Sequence, residues 1–156
     1  MKAAVFSDTH GSTVLMLEAI RRTRPDMVIH LGDCERDTYC IEEEFPEIPL
    51  YRVCGNCDIV ARFPEKDIIP IGPVDAFITH GHLYDVKYRG VDKLVYAAQE
   101  AACPIALFGH THEALNIEVG GVHVINPGTA GRGRVLTYAF IEVFPNGGIA
   151  SEIRDL

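Results

Sequence analysis

Residues 3–33, AAVFSDTHGSTVLMLEAIRRTRPDMVIHLGD, decide the fold. Ala3-Ala4-Val5-Phe6 is an unbroken apolar run of strand length, and it ends on the polar string Asp8-Thr9-His10. From Ser12 to Thr23 the apolar residues Val14, Leu15, Leu17, Ala19 and Ile20 recur at helical spacing, with Ser12 placed to cap the helix and Pro25 placed to stop it. Met27-Val28-Ile29-His30-Leu31 is a second apolar run, again closed by a polar pair, Gly32-Asp33. Strand, loop, helix and strand in that order predict parallel strands joined by a helical crossover.

The rest of the chain extends this unit. A short acidic helix is expected over Asp37–Glu44, stopped near Pro46, and a third strand over Leu50–Val53. Strands at Asp67–Ile71 and Val74–Thr79 flank Gly72-Pro73, a turn signal that suits a hairpin. A helix over Val91–Ala102 leads to a strand at Ile105–Phe108. Two hairpins follow, Ala114–Val119 with Val122–Ile125 across Gly120-Gly121, and Arg134–Val143 with Ile149–Ile153 across Asn146-Gly147-Gly148. Nine or ten strands are too many for one flat sheet in 156 residues. The expected architecture is therefore α/β: a single domain over residues 1–156, built as a four-layer α-β-β-α sandwich of two mixed sheets flanked by helices.

Composition narrows the functional classes. Hydrophobic residues make up 47% and charged residues 23%, the balance of a globular chain rather than a disordered one. The first residues lack the pattern of a secretory signal, and no apolar stretch reaches the roughly 20 residues that span a bilayer, so a soluble, cytoplasmic protein with no membrane partner is expected. A formal charge of −8 opposes non-specific binding to nucleic acid, which is not an expected partner. It does not oppose a phosphate substrate, because bound divalent ions would set the local field. Five cysteines, an odd number, argue against a disulfide framework.

Five polar clusters carry the chemistry: Asp8-Thr9-His10, Gly32-Asp33, Gly55-Asn56, His80, and Gly109-His110-Thr111-His112. Each follows an apolar run of strand composition, and in open α/β sheets the carboxyl ends of strands are where ligand-binding loops collect. Asp8 and His10, two apart, can point into one site if their loop stays extended. Two carboxylates, one amide oxygen and four imidazoles suit Mn²⁺, Fe²⁺, Ni²⁺ or Zn²⁺ and match Ca²⁺ poorly.

These strings resemble the motifs of the calcineurin-like metallophosphoesterases, in their small single-domain phosphodiesterase branch. Gly32-Asp33-Cys34, Gly55-Asn56-Cys57-Asp58, Thr79-His80-Gly81-His82 and Gly109-His110-Thr111-His112 carry the likeness in order and spacing, and Asn126-Pro127-Gly128 is similar to a late loop of that branch. The resemblance implies that Asp8, His10, Asp33 and His112 hold one metal and Asp33, Asn56, His80 and His110 the other, with Asp33 as the bridge. It also implies Mn²⁺ as the first choice of metal. The implied activity is hydrolysis of a small or nucleotide-like phosphodiester by a metal-bridging hydroxide. Two divalent ions against two carboxylates leave +2, which such a hydroxide and one diester monoanion bring to zero.

One position departs from the wider family. Many relatives carry a histidine after the motif asparagine, where it can protonate the leaving oxygen; here Cys57 stands in that place. A dianionic monoester should suffer most, so diesterase activity is expected to exceed monoesterase activity. His82 is the candidate replacement proton donor, beside a second reading as a group that orients a ligand. With Asp33 and Asn56 it makes up the expected catalytic group.

Other features have plainer readings. Cys54-Gly55-Asn56-Cys57 has the Cys-x-x-Cys spacing, but no second cysteine pair stands at zinc spacing. His30 lies inside an apolar strand and reads as a hydrogen-bonded core residue. Arg132 and Arg134 read as solvated residues beside a turn, Glu42-Glu43-Glu44 as a solvated helix face, and the Val91, Leu94, Val95, Ala98 stripe as core. The alternatives to a phosphodiesterase are a scaffold or binding module of the same fold and a phosphomonoesterase. No insertion is available to build a lid, so an open cleft is expected, which leaves room for a homodimer to complete it.

Overall fold

The apolar runs form ten strands in two five-stranded sheets, in a computed structural model that describes residues 1–156. In the first sheet β1 (Lys2–Phe6), β2 (Met27–His30) and β3 (Leu50–Arg52) run parallel, and β9 (Thr137–Val143) and β10 (Ile149–Asp155) extend it antiparallel, in the order β10-β9-β1-β2-β3. The second contains β4 (Lys66–Ile71), β5 (Val74–Thr79), β6 (Ile105–Leu107), β7 (Leu115–Val119) and β8 (Val122–Asn126), in the order β4-β5-β6-β8-β7. There β5, β6 and β8 are parallel, while β4 and β7 close the edges as antiparallel hairpin partners.

Alternation along the strands separates three apolar layers. Ala3, Val5, Ile29, Leu31, Ile78, Leu107, Ile125 and Ile141 face the space between the sheets. Ala4, Phe6, Val28 and Tyr138 face outward and are covered by α1 (Val14–Thr23), through Met16, Ala19 and Ile20, and by Ile41 of α2 (Tyr39–Glu44). On the other side Phe77, Ala106, Phe108 and Val124 are covered by Leu94, Val95 and Ala98 of α4 (Asp92–Glu100) and by Val86 of α3 (Val86–Arg89). This is the expected α-β-β-α sandwich, and it explains why β1 and β2 read as continuous apolar runs: both faces are buried. Each fully buried Ile or Phe contributes about 2–3 kcal/mol of transfer free energy to this arrangement.

Several boundaries differ from the sequence reading, each for a local reason. The first helix starts at Val14 rather than Ser12, because the Ser12 N–H donates to the Thr9 carbonyl at 2.9 Å and keeps Ser12 in the loop. The acidic segment splits into a 3₁₀ turn over Glu35–Thr38 and the short α2. Its glutamates are not merely solvated, since Glu42 pairs with Arg52 and Glu44 takes two bonds from Arg21 at 2.5 and 2.6 Å. Arg134 to Leu136 are not part of β9: the Ala130 N–H bonds the Ser7 carbonyl at 2.9 Å and the Arg132 N–H bonds Thr129 Oγ1 at 3.1 Å, which folds this segment over the loop after β1.

Candidate metal centre

All five clusters emerge at the carboxyl ends of parallel strands, Asp8 and His10 after β1, Asp33 after β2, Asn56 after β3, His80 after β5, and His110 and His112 after β6. The two sheets are stitched together at this end. His80 Nδ1 lies 2.7 Å from the Leu31 carbonyl of the opposite sheet, and the His110 N–H donates to Asp8 Oδ2 at 3.1 Å. Close backbone approach is required as well. A Cβ at Gly109 would lie 1.9 Å from Ser7 Oγ, and one at Gly55 would lie 2.1 Å from Asp33 Oδ1, so both positions accept only glycine.

Side-chain atoms then converge. Asp8, His10 and His112 form one group of mutually close donor atoms, Asp8, Asp33 and His80 a second, and His10, Asp33 and Cys57 a third, each within 4.8 Å. His80 Nε2 is 3.4 Å from Asp33 Oδ1, His10 Nε2 is 3.9 Å from Asp33 Oδ2, and His112 Nε2 is 3.1 Å from Asp8 Oδ1. His110 joins through its ring, 5.1 Å from that of His80 between centroids. Asn56 is exposed on the rim, with Nδ2 3.6 Å from Cys57 Sγ.

The loops reach this arrangement by tight left-handed turns rather than by staying extended. Nine non-glycine residues have positive φ, and five of them are Asp8 (56°), His10 (46°), Asp33 (58°), His110 (69°) and His112 (62°). Such conformations cost about 1–3 kcal/mol each and persist where the surrounding structure enforces them. The strain in this chain is therefore concentrated at the candidate site.

Hydrogen bonding leaves the inward atoms open. His80 is fully buried, and with its Nδ1–H given to the Leu31 carbonyl its Nε2 carries a buried lone pair with no partner. Asp8 Oδ2 accepts from Ser7 Oγ at 2.5 Å and from the His110 N–H, while Asp8 Oδ1 has no hydrogen-bond donor although His112 stands close. A buried anionic oxygen beside a buried imidazole lone pair would be costly alone, and both are satisfied by a cation. Burial opposes the ionisation of Asp33, but His80, the backbone N–H and thiol of Cys57, and His10 outweigh it and hold its carboxyl below the usual range. The donor set fits a divalent ion of borderline softness.

Two residues matter beyond the expected ligands. The Cys57 thiol donates to Asp33, which, with burial, pushes its pKa up to about 11 and keeps it a neutral thiol. Asp58, which the sequence reading quoted without assigning it a role, accepts four backbone N–H groups: Asp33 at 3.0 Å and Gly55 at 2.7 Å on Oδ2, and Cys34 and Glu35, both at 2.9 Å, on Oδ1. Its sequence signal was its place in the string Gly55-Asn56-Cys57-Asp58. His82 lies beside the cluster, its ring 5.5 Å from His80 and 6.2 Å from His110, with burial and then His80 lowering its pKa. His30 is fully buried and bonded to Thr9 Oγ1 and the Gly32 N–H, both at 3.3 Å, a core residue as expected. A cavity of about 670 Å³ lies elsewhere, between the end of α1 and Phe45–Ile48, and contains none of these groups.

The profile of the calcineurin-like phosphoesterase superfamily domain matches residues 1–144. The chain belongs to the calcineurin-like phosphoesterase superfamily. Among this superfamily's curated members, it is 31% identical over 132 residues to the probable metallophosphoesterase YsnB of Bacillus subtilis, covering 83% of this chain and 75% of that one. It is 30% identical over 145 residues to the phosphodiesterase MJ0936 of Methanocaldococcus jannaschii, covering 82% and 83%. A superposable structure is a conserved phosphoesterase-like protein of Streptococcus pneumoniae, with TM-score 0.79 and 29% identity over 99% of this chain and 97% of that one. Vps29 of Entamoeba histolytica complexed with Zn²⁺ superposes with TM-score 0.76 and 99% coverage of both chains; at 23% identity this shows a shared fold. No helix is long and apolar enough to cross a membrane.

Proposed function

We propose that the chain is a dinuclear metal-dependent phosphodiesterase acting on a small or nucleotide-like diester. The observation that carries this reading is the pair of buried, unpartnered, inward-facing atoms, Asp8 Oδ1 and His80 Nε2, 4.0 Å apart at the mouth of both sheets. Asp8, His10, Asp33 and His112 would hold one ion, and Asp33, Asn56, His80 and His110 the other, with Mn²⁺ as the preferred metal and Ni²⁺, Fe²⁺ or Zn²⁺ as substitutes. Bound there, two divalent ions would supply positive charge that acidifies water and polarises phosphoryl oxygens.

The protein's own groups do the rest. Asp33, kept ionised by His80, Cys57 and His10, holds the two halves of the site in register. Asn56, which is exposed, would hold an ion through its amide oxygen. His82 is the candidate proton donor to the leaving oxygen, with burial and then His80 lowering its pKa. Cys57 remains protonated on Asp33 and adds no positive charge, so the site compensates a monoanion and is short of charge for a dianion. A scaffold would have no use for five strained ligand turns and two buried lone pairs without a partner.

The test is hydrolysis of bis(p-nitrophenyl) phosphate against p-nitrophenyl phosphate in Mn²⁺. Higher kcat/KM on the diester is expected. Equal or faster turnover of the monoester would refute the diesterase assignment.

A further inference from the structure

Beside the metal centre lies a second cavity, of about 350 Å³, between the turn at residues 34–37 and the loop at residues 57–60. It adjoins the site through Cys57, which both lines it and belongs to the donor group with His10 and Asp33. Its outer wall is Ile59 and Val60, adjacent apolar side chains that are 95% and 66% exposed. No other large hydrophobic residue of the chain is as uncovered as Ile59. Two solvated aliphatic side chains in a row, next to a polar centre, leave apolar surface for a guest to cover.

The charges around this cavity define the guest. Three carboxylates line it, and all are already engaged: Glu35 accepts the Arg62 N–H at 3.0 Å, Asp37 accepts the Gly11 N–H at 2.7 Å, and Asp58 accepts its four backbone N–H groups. Cys34 and Cys57 complete the lining. Arg36, on the 34–37 side of the cavity, is exposed and forms no ion pair, so its guanidinium is free to bond a guest. The volume sits near the lower end of the roughly 300–1,000 Å³ usual for ligand pockets, enough for one ring system.

We infer that this cavity receives the leaving alcohol of the diester, and that the alcohol carries an aromatic or nucleobase-like group packed on Ile59 and Val60 with an acceptor edge turned to Arg36. The inference rests on the phosphodiesterase reading and narrows it: Cys57, shared by the cavity and the donor group with His10 and Asp33, would put the cavity within reach of a phosphoryl group held there.

The experiment compares two diesters that share a methyl group and differ in the leaving alcohol: methyl p-nitrophenyl phosphate and methyl 2,2,2-trifluoroethyl phosphate, the latter followed by fluorine NMR. The Ile59→Asp/Val60→Asp variant should lose about tenfold or more in kcat/KM on the aryl ester, the usual scale for a lost apolar contact, and stay within about twofold of wild type on the trifluoroethyl ester. Tyr96→Asp, an exposed change on α4, is the control and should alter neither. Equal losses on both esters, or none on either, overturn the proposal. Turnover of neither ester by the wild type would count against the phosphodiesterase reading instead. The pocket is then decided by binding: in the zinc-loaded protein, phenylphosphonate should shift the Ile59 and Val60 methyl resonances saturably, and unmoved methyls overturn the assignment.

Discussion

The Asp58 carboxylate binds the backbone of Asp33: Oδ2 accepts the Asp33 N–H at 3.0 Å and the Gly55 N–H at 2.7 Å, tying the turn after β2 to the turn after β3. Asp33 thus takes its left-handed conformation, φ 58°, with its position fixed from behind by a second acid. Asp58→Ala removes four charge-assisted acceptances at once. It should lower stability by about 2 kcal/mol or more and weaken Mn²⁺ affinity about 10–100-fold, read by calorimetric titration of the refolded variant. Unchanged affinity would mean that Asp33 is positioned without help from Asp58.

On the proposed function, Cys57 would limit the charge the site can offer. Cys57→His restores a group able to carry a proton next to Asp33, and hydrolysis of p-nitrophenyl phosphate should rise about tenfold or more while the diester rate changes less. A variant with the wild-type ratio of diester to monoester rates would remove Cys57 as the selector.

His82 should reveal itself through the leaving group. Removing it as His82→Ala should cost little with p-nitrophenolate, which departs without a proton, and about 100-fold or more with an alkyl leaving group. The alkyl-ester rate should also fall as pH rises above the lowered His82 pKa. Equal losses on both substrates would point to an orienting role instead.

His30 makes stability depend on pH. It accepts the Gly32 N–H through Nδ1, and complete burial lowers its pKa from 6.5 to about 4. The unfolded chain therefore binds this proton at higher pH than the folded one, so the contribution is complete above about pH 6.5 and is lost as pH falls toward 4. The loss across that window is on the order of 3 kcal/mol for this residue. Burial and His80 also hold His110 low, which adds to the slope in the same direction. Metal-free protein should show a falling Tm through this range, and His30→Gln should flatten it; a slope of opposite sign would contradict the burial of a neutral imidazole.

The legible part of the fold was the part that burial dictates. The runs Ala3–Phe6 and Met27–Leu31 are apolar on both faces because sheets and helices cover both, and this pattern survives any error in element ends. Residues 134–136 were misread as strand because nothing local says that Ala130 and Arg132 fold over the Asp8 loop; those bonds link residues more than a hundred apart, or close a turn. In the site, residue type and position after a strand mark Asp8, His10, Asp33, His80, His110 and His112 as candidates only as a set, and the family resemblance supplies their assignment to two ions. Their left-handed turns were not readable, since φ at an aspartate or histidine is imposed by contacts elsewhere. Asp58 was overlooked because its work is done entirely on backbone N–H groups, which leave no trace in side-chain type.

The central claim is a two-ion site bridged by Asp33, and counting bound metal tests it most directly. Calorimetric titration of metal-free protein with Mn²⁺ should give two ions per wild-type chain, and Asp33→Ala should lose the second together with turnover of bis(p-nitrophenyl) phosphate. One ion or none per wild-type chain, or full loading and turnover in Asp33→Ala, would contradict it.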